Sequence, residues 1–225
     1  MPPVPAVRPV LSLCPASQAR ARSAGPLEDD FSPAELAEWG ALKSEKRRLD
    51  WLAGRLAGKE AAREWLSRNG ERVSGRVEIF NGAEGAPYIK ADSGSVLARL
   101  ARISLSHCDF GGVAAAHGAA VGVDAERIAP RDSGVLAHYA RADENASTPE
   151  LATRLWTVKE AALKALGLGF AGGLLNVHWS GGTDLNFFGA AEQRRLSLEL
   201  GGFAVESWIE GETAFGLVYQ QEALP

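Results

Sequence analysis

This sequence is short of cysteine, of long apolar runs and of net charge, and each shortage excludes a class of protein. Cys14 and Cys108 are the only cysteines, too few for a disulfide framework, which favours a reducing, cytoplasmic compartment. Because no apolar run is long enough to span a bilayer and the start carries no clear signal peptide, no membrane association is expected. The formal net charge of −4 argues against a general nucleic-acid binder.

The composition that remains is that of an ordinary globular protein. Hydrophobic residues make up 46% of the 225 residues and charged residues 23%, which is enough for a sizeable core in one large domain or two small ones. No convincing internal repeat is found in the sequence. Five of the first fifteen residues are prolines, so residues 1–30 are predicted to be irregular. The alternative is an edge strand at Val4–Leu13, which the prolines disfavour.

Local patterns predict several secondary elements besides the functional ones. Ser32, Pro33 and Glu35 form a helix start with a capping box, and helical periodicity continues to about Leu66. Glycines within this region make a single unbroken helix doubtful, namely Gly40, Gly54 and Gly58. Further strands are predicted in the second half at Asn176–Trp179, Leu196–Leu200, Phe203–Ile209 and Ala214–Tyr219.

A second helix is predicted from the apolar periodicity near residues 151–166. Its buried stripe would consist of Leu151, Leu155, Val158, Ala162 and Leu166. Thr148 is placed as the N-cap and Gly167 just past the last turn. Lys159, Glu160 and Lys164 lie off the stripe and are expected to keep their charges accessible. Taken alone, the spacing of Glu160 and Lys164 favours an ordinary surface ion pair.

An acidic strand precedes this helix at residues 120–126. Its alternation places Asp124 and Glu126 on one face, with Gly122 beside them leaving room for a ligand. Two strand carboxylates and Glu160 from a facing helix would make an all-oxygen site suited to Mg²⁺. The alternative is a solvated strand face that binds nothing.

Three sequence blocks together resemble the 4′-phosphopantetheinyl transferase superfamily. Gly-Val-Asp-Ala-Glu at 122–126 and Trp-Thr-Val-Lys-Glu-Ala-Ala-Leu-Lys at 156–164 resemble its paired strand and helix signatures. Ile-Ser-Leu-Ser-His at 103–107 is similar to the Ser-His segment of the larger, Sfp-like branch, which has two halves. The blocks occur in the family's order and spacing, so their combination is far more specific than any one of them.

The resemblance implies an α+β fold of two pseudo-symmetric halves. Residues 1–121 would form the half on the coenzyme A side, and residues 122–225 the half with the metal site and the catalytic helix. Each half would pack a long helix on a small, mainly antiparallel sheet, with the active site in the cleft between them. The sequence alone shows only that helices followed by strands occur twice.

The resemblance also implies a reaction and its participants. The 4′-phosphopantetheine group of coenzyme A would pass to a serine of an apo-acyl or peptidyl carrier protein, with Mg²⁺, releasing adenosine 3′,5′-bisphosphate. Mg²⁺ would be held by Asp124, Glu126 and Glu160, while Lys159 and Lys164 would lie near the phosphates. Glu160 and Lys164 are the expected catalytic residues, and a metal role for Glu160 is ranked above its role as a base.

Coenzyme A contacts in the first half follow from the same resemblance. Arg55 is the best candidate, and Arg47, Arg48 and His107 are further candidates for its phosphates. Ala86 replaces the lysine of the family's Gly-Lys-Pro segment, and residues 142–144 match only loosely a stretch that ends in a glutamate. The carrier's pathway, whether fatty-acid, polyketide or nonribosomal peptide synthesis, is left open, and a monomer is expected.

Two other functional classes use some of the same features. A Mg²⁺-dependent hydrolase of nucleotide pyrophosphates would need the acidic cluster but no carrier protein, so the products distinguish it. A non-catalytic protein that binds coenzyme A or a carrier has no need of the complete acidic and basic set. A general scaffold protein is the weakest alternative.

Overall fold

The computed structural model describes residues 8–73, 75–82, 85–91 and 96–221. The described residues form two compact units, one of Pro9–Gly118 and one of residues 119–221 together with Arg8. We refer to them as the N-terminal unit and the C-terminal unit.

The N-terminal unit places one long helix on a three-stranded sheet. Its helices are α1 (Ala16–Ser23), α2 (Pro33–Ala41), α3 (Glu45–Arg68) and α4 (Val96–Leu100). Its strands are β1 (Val10–Pro15), β2 (Val77–Asn81), β3 (Pro87–Ala91), β4 (Arg102–Cys108) and β5 (Gly111–His117). An antiparallel sheet of order β1-β5-β4 packs on α3, and β2 and β3 form a separate antiparallel pair.

The C-terminal unit is organised in the same way around α6. Its helices are α5 (Ser133–Ala137), α6 (Pro149–Leu166) and α7 (Gly189–Ser197). Its strands are β6 (Val121–Arg127), β7 (Val177–Trp179), β8 (Leu185–Phe187), β9 (Phe203–Glu210) and β10 (Thr213–Gln220). The antiparallel sheet has the order β6-β10-β9, and β7 pairs with β8.

The two units repeat one arrangement of elements. In each, the first strand precedes the long helix, a two-stranded pair follows it, and the last strand lies in the middle of the three-stranded sheet. The predicted α+β fold with small antiparallel sheets is confirmed. The repeat is one of structure, and its trace in the sequence is short: Lys-Glu-Ala-Ala occupies positions 59–62 of α3 and positions 159–162 of α6.

Local signals place the helix ends where they were predicted. The Thr148 hydroxyl accepts a hydrogen bond from the backbone N–H of Leu151 at the start of α6, and Gly167 ends that helix with a φ of 68°. Ser32 and Glu35 form the complete capping box of α2. These contacts span a few residues, so they are readable from sequence.

The helical region of the N-terminal unit breaks at residues 42–44 and not at its glycines. Gly54 and Gly58 both lie inside α3. A Cβ atom at Gly58 would stand 2.5 Å from Cδ1 of Ile79, so this glycine lets β2 approach the helix. Within the described ranges, no helix combines the length and the apolar character needed to cross a bilayer.

Two predictions from local pattern are wrong. Residues 10–23 are ordered as β1 and α1, because β1 is an edge strand that pairs only with β5 among the described strands and so tolerates its flanking prolines. The predicted strand at Leu196–Leu200 begins inside α7. There a bidentate pair between Arg195 and Glu192, three residues apart, supports the helix.

Close packing of α6 on its sheet depends on two glycines. A Cβ atom at Gly122 would stand 1.8 Å from the carbonyl oxygen of Ala161, and one at Gly216 would stand 2.6 Å from that of Thr157. The space beside Gly122, which was expected to admit a ligand, is therefore filled by the backbone of α6.

The substitution Gly122→Ala should therefore lower the free energy of unfolding by on the order of 3 kcal/mol. Gly54→Ala is the matched control, because nothing lies within 4 Å of its added Cβ atom. The control should be neutral or stabilising by about 0.5–1 kcal/mol, as expected for alanine in a helix. Urea denaturation of both variants measures the difference, and equal stabilities would contradict the close approach.

Candidate active site

The acidic strand and the signature helix face each other within the C-terminal unit. Asp124 lies in β6, opposite the second half of α6. The Lys164 ammonium lies 2.7 Å from Oδ1 of Asp124 and also donates to the carbonyl oxygen of Val123 at 3.2 Å. The Asp124 side chain is 6% exposed and that of Lys164 28%, so this ion pair is at the rim of a buried region.

Glu160 contributes a buried carboxylate beside this pair. The residue is 6% exposed, and its Oε1 atom is buried without a hydrogen-bond partner. Burial raises the pKa of Glu160 to about 7, with the negative charges of Asp124 and Glu126 adding to the rise and Lys164 opposing it. The site thus concentrates negative charge with incomplete compensation, an arrangement that favours binding of a cation.

The expected convergence of three carboxylates is not present in this arrangement. The described residues contain no group of three or more His, Cys, Asp or Glu side chains positioned to hold a metal ion. The Asp124 carboxylate is turned to Lys164 instead. The donor chemistry nevertheless fits a hard cation, because Glu160 has a buried oxygen without a partner and lies within electrostatic range of two further carboxylates.

The raised pKa of Glu160 predicts a pH-dependent stability in metal-free buffer. Since the folded pKa of about 7 exceeds the ordinary 4.5, folding favours the protonated form, and stability falls as pH rises through about 7. Between pH 5 and pH 8 the wild type should lose roughly 2–3 kcal/mol relative to Glu160→Gln. Urea denaturation in the presence of a chelator measures this loss. A parallel pH dependence of the two proteins would contradict it.

The prediction that the charges of α6 stay accessible is wrong for Glu160, which is 6% exposed, and for Lys159. The Lys159 side chain is fully buried, and its ammonium lies 2.6 Å from Oε2 of Glu144 and 2.6 Å from the carbonyl oxygen of Tyr139. The sequence predicts no role for Glu144. The only indication is that residues 142–144 loosely match a stretch that ends in a glutamate in the family that the sequence resembles. A coenzyme contact for Lys159 stays a prediction.

The three arginines proposed for coenzyme A differ in their surroundings. Arg55 is 5% exposed, its guanidinium lies 3.5 Å from Oε2 of Glu38, and it stacks 5.2 Å from the ring centroid of Trp51. Arg48 donates to the carbonyl oxygen of Leu42 at 2.9 Å, whereas Arg47 is exposed in the first turn of α3. Burial makes Arg55 the least accessible of the three, and all three assignments stay predictions.

His107 lies beside a pocket of the N-terminal unit. Its Nδ1 atom is 3.9 Å from Oδ2 of Asp50, and its side chain is 54% exposed. Asp50 and the neighbouring Cys108 line a pocket of about 450 Å³, whose charged lining also includes Arg20, Glu45, Lys46 and Asp109. His107 is thus accessible and close to Asp50 of the pocket, although it is not itself a lining residue, and its coenzyme role stays a prediction.

Comparison with known proteins bears on the C-terminal unit. Residues 120–210 match the sequence model of the 4′-phosphopantetheinyl transferase superfamily. A holo-[acyl-carrier-protein] synthase of Streptococcus sanguinis (strain SK36) is 40% identical over 78 residues, which are 34% of this chain and 62% of that relative. The chain thus spans 62% of the length of this curated relative. The resemblance to the superfamily is confirmed over this segment, and neither match specifies a branch.

Proposed function

We propose that this chain transfers the 4′-phosphopantetheine group of coenzyme A to a serine of an acyl or peptidyl carrier protein and releases adenosine 3′,5′-bisphosphate. One observation carries the proposal. Asp124, Glu160 and Lys164 lie inside the matched segment, and the fold assembles them into one buried, charged site. The repeated arrangement of the two units supports placement in the larger, two-half branch.

Charge is the main obstacle to this reaction. The carrier serine must attack a phosphorus that is surrounded by anionic oxygens, so the protein's task is to position the reactants and to compensate negative charge. Lys164 is suited to this task, because its ammonium is partly exposed and is held in place by Asp124 and the carbonyl oxygen of Val123. It would stabilise the charge that develops on the departing bisphosphate.

Asp124, Glu126 and Glu160 are the residues that would hold Mg²⁺. When bound, the ion would supply positive charge and orientation for the pyrophosphate. In its absence Glu160 has a pKa of about 7, which also suits a group that accepts the serine proton near neutral pH. One carboxylate oxygen cannot do both at once, so we assign Glu160 to the metal first and to the proton second.

The N-terminal unit would bind the coenzyme. Arg47 and His107 are the accessible candidates. Arg48 already donates a hydrogen bond to a backbone carbonyl, and Arg55 is paired with Glu38. Guanidinium groups suit phosphate oxygens because they can donate two parallel hydrogen bonds. This part of the chain lies outside the matched segment, so its role follows from the resemblance alone.

Intact-protein mass measurement tests the function directly. The chain is incubated with coenzyme A, Mg²⁺ and a panel of apo-carrier proteins, and each carrier is weighed before and after. A carrier that gains one phosphopantetheine group supports the proposal, and the same carrier with its serine replaced by alanine is the control. Release of coenzyme fragments with no carrier modified would instead favour a nucleotide pyrophosphate hydrolase.

A further inference from the structure

The C-terminal unit contains a buried ion pair that the proposed reaction does not use. Lys159 and Glu144, the C-terminal ion pair, are both fully buried at the side chain and 2.6 Å apart. Glu144 also accepts hydrogen bonds from the backbone N–H groups of Trp179 and Arg141, each at 2.8 Å. The Lys159 ammonium makes a further bond to the carbonyl oxygen of Tyr139. All of these partners are side-chain or backbone groups of the C-terminal unit itself.

The N-terminal unit contains an equivalent pair at the equivalent place. Lys59 and Glu35, the N-terminal ion pair, are 1% and 0% exposed at the side chain and 2.7 Å apart. Glu35 accepts from the backbone N–H groups of Ile79 at 3.1 Å and Ser32 at 3.0 Å. The Lys59 ammonium also donates to the carbonyl oxygen of Val77 at 2.5 Å.

The two ion pairs make the same connections. Each lysine comes from the long helix, and each glutamate from the segment that precedes that helix. Each glutamate binds a backbone N–H of the strand that follows the helix, β2 in one unit and β7 in the other. Burial lowers the pKa of both lysines, against the opposing effect of the glutamate. The pair therefore joins three segments of a unit through groups that water does not reach.

The residues that follow the two lysines in sequence differ in burial, which distinguishes the C-terminal ion pair from the N-terminal one. Glu160 follows Lys159 and is about 100° further round the helix, buried near Asp124. Glu60 follows Lys59 and is exposed. The strand β1, which matches β6 in its sheet, carries no acidic residue. Of the two ion pairs, only the C-terminal one is followed along its helix by a buried carboxylate. The carboxylate that interacts with Lys59 besides Glu35 is Glu78 of β2, which is itself paired with Lys90.

We propose that Lys159 is a positioning residue and not a ligand of the coenzyme: with Glu144 it fixes the rotation and the height of α6 and thereby directs Glu160 towards Asp124. This inference rests on the proposed function for its effect on turnover. It predicts that loss of Lys159 disturbs the metal site and leaves coenzyme binding unchanged. A phosphate ligand would produce the opposite pattern.

The experiment compares four variants of the full chain. Lys159→Met leaves Glu144 buried without its cation. Lys159→Met/Glu144→Gln removes both charges, and the amide oxygen can accept from only one of the two backbone N–H groups that the carboxylate accepts from. Lys59→Met and Lys59→Met/Glu35→Gln are the matched controls. The measurements are the melting temperature, Mg²⁺ binding by calorimetry, and kcat and KM for coenzyme A.

The two single variants should lose stability equally and differ at the site. Each should melt roughly 10 °C below the wild type, since an uncompensated charge remains buried. Lys159→Met should bind Mg²⁺ more weakly and lose about 10²-fold in kcat, because Glu160 is displaced, with KM for coenzyme A within about twofold of the wild type. Lys59→Met should keep wild-type Mg²⁺ binding. The double variant Lys159→Met/Glu144→Gln should recover part of the melting temperature, Mg²⁺ binding and kcat, because it removes the uncompensated buried charge but leaves one backbone N–H without its acceptor.

A rise of tenfold or more in KM for coenzyme A that persists in the double variant would make Lys159 a coenzyme ligand and overturn the inference. Unchanged Mg²⁺ binding in Lys159→Met would also overturn it. If the wild type modifies no carrier but Mg²⁺ binding weakens only when the C-terminal ion pair is broken, the proposed function fails and the inference stands. If the wild type does not bind Mg²⁺, there is no site to position, and both fail.

Discussion

Glu160→Gln should reduce carrier modification by about 10³-fold or more, whereas Glu60→Gln should leave it at the wild-type level. The two glutamates occupy matching positions in the repeated Lys-Glu-Ala-Ala segment, but Glu160 is buried beside Asp124 and Glu60 is exposed. Glutamine keeps the shape of the side chain and removes its negative charge. It can neither hold a divalent cation as strongly nor take a proton at neutral pH.

The assay is the rate at which a responsive apo-carrier gains mass, measured at saturating coenzyme A. KM for coenzyme A should change little, so that the loss appears in kcat. A second readout excludes simple misfolding, because Glu160→Gln should be at least as stable as the wild type at pH 8, where the wild-type carboxylate is buried and charged. Full activity in Glu160→Gln would remove this residue from the mechanism.

Asp124→Asn should likewise abolish detectable transfer, with a loss of at least about 10³-fold, equivalent to roughly 4 kcal/mol of transition-state stabilisation. Asp124 combines two tasks in the structure. It supplies a buried carboxylate to the acidic site, and it holds the Lys164 ammonium at 2.7 Å. Asparagine would weaken cation binding and also loosen the group that compensates charge on the bisphosphate.

Calorimetric titration with Mg²⁺ and the carrier assay check this prediction together. Glu212→Gln is the matched control, because Glu212 forms a surface ion pair with Arg127 that leaves the two side chains 80% and 60% exposed. Such an exposed ion pair contributes little to the stability of the fold, so the control should retain transfer and Mg²⁺ binding. An Asp124→Asn protein that binds Mg²⁺ normally would separate this residue from the metal site.

Features that depend on near neighbours in sequence were predicted well. The ends of α6 follow from Thr148 and Gly167, and the start of α2 from Ser32 and Glu35. These signals act over one helical turn. The strand predicted at 120–126 lies at Val121–Arg127, and the facing helix is also present, because alternation and helical periodicity indicate these elements.

Features that depend on partners far along the chain were missed. Lys159 was assigned to solvent because it lies off the apolar stripe, but Glu144, fifteen residues away, holds it in the interior. Glu35 was predicted only as part of a cap, yet it also pairs with Lys59, twenty-four residues away. A buried lysine is tolerated only where such a partner is present, and the periodicity of one helix does not reveal that partner.

The sequence by itself determined the secondary elements of the C-terminal unit that carry the acids, the identity of those acids and the resemblance to a transferase superfamily. Each of these features depends only on which residue types occur at short spacings along the chain. The tertiary structure alone decided that Lys164 binds Asp124, that Lys159 is buried and that Glu160 is protonated more readily than an ordinary glutamate. The reason is that burial, ion pairing and pKa depend on the distance between groups of different elements, and that distance is set only when α6 packs against Gly122 and Gly216.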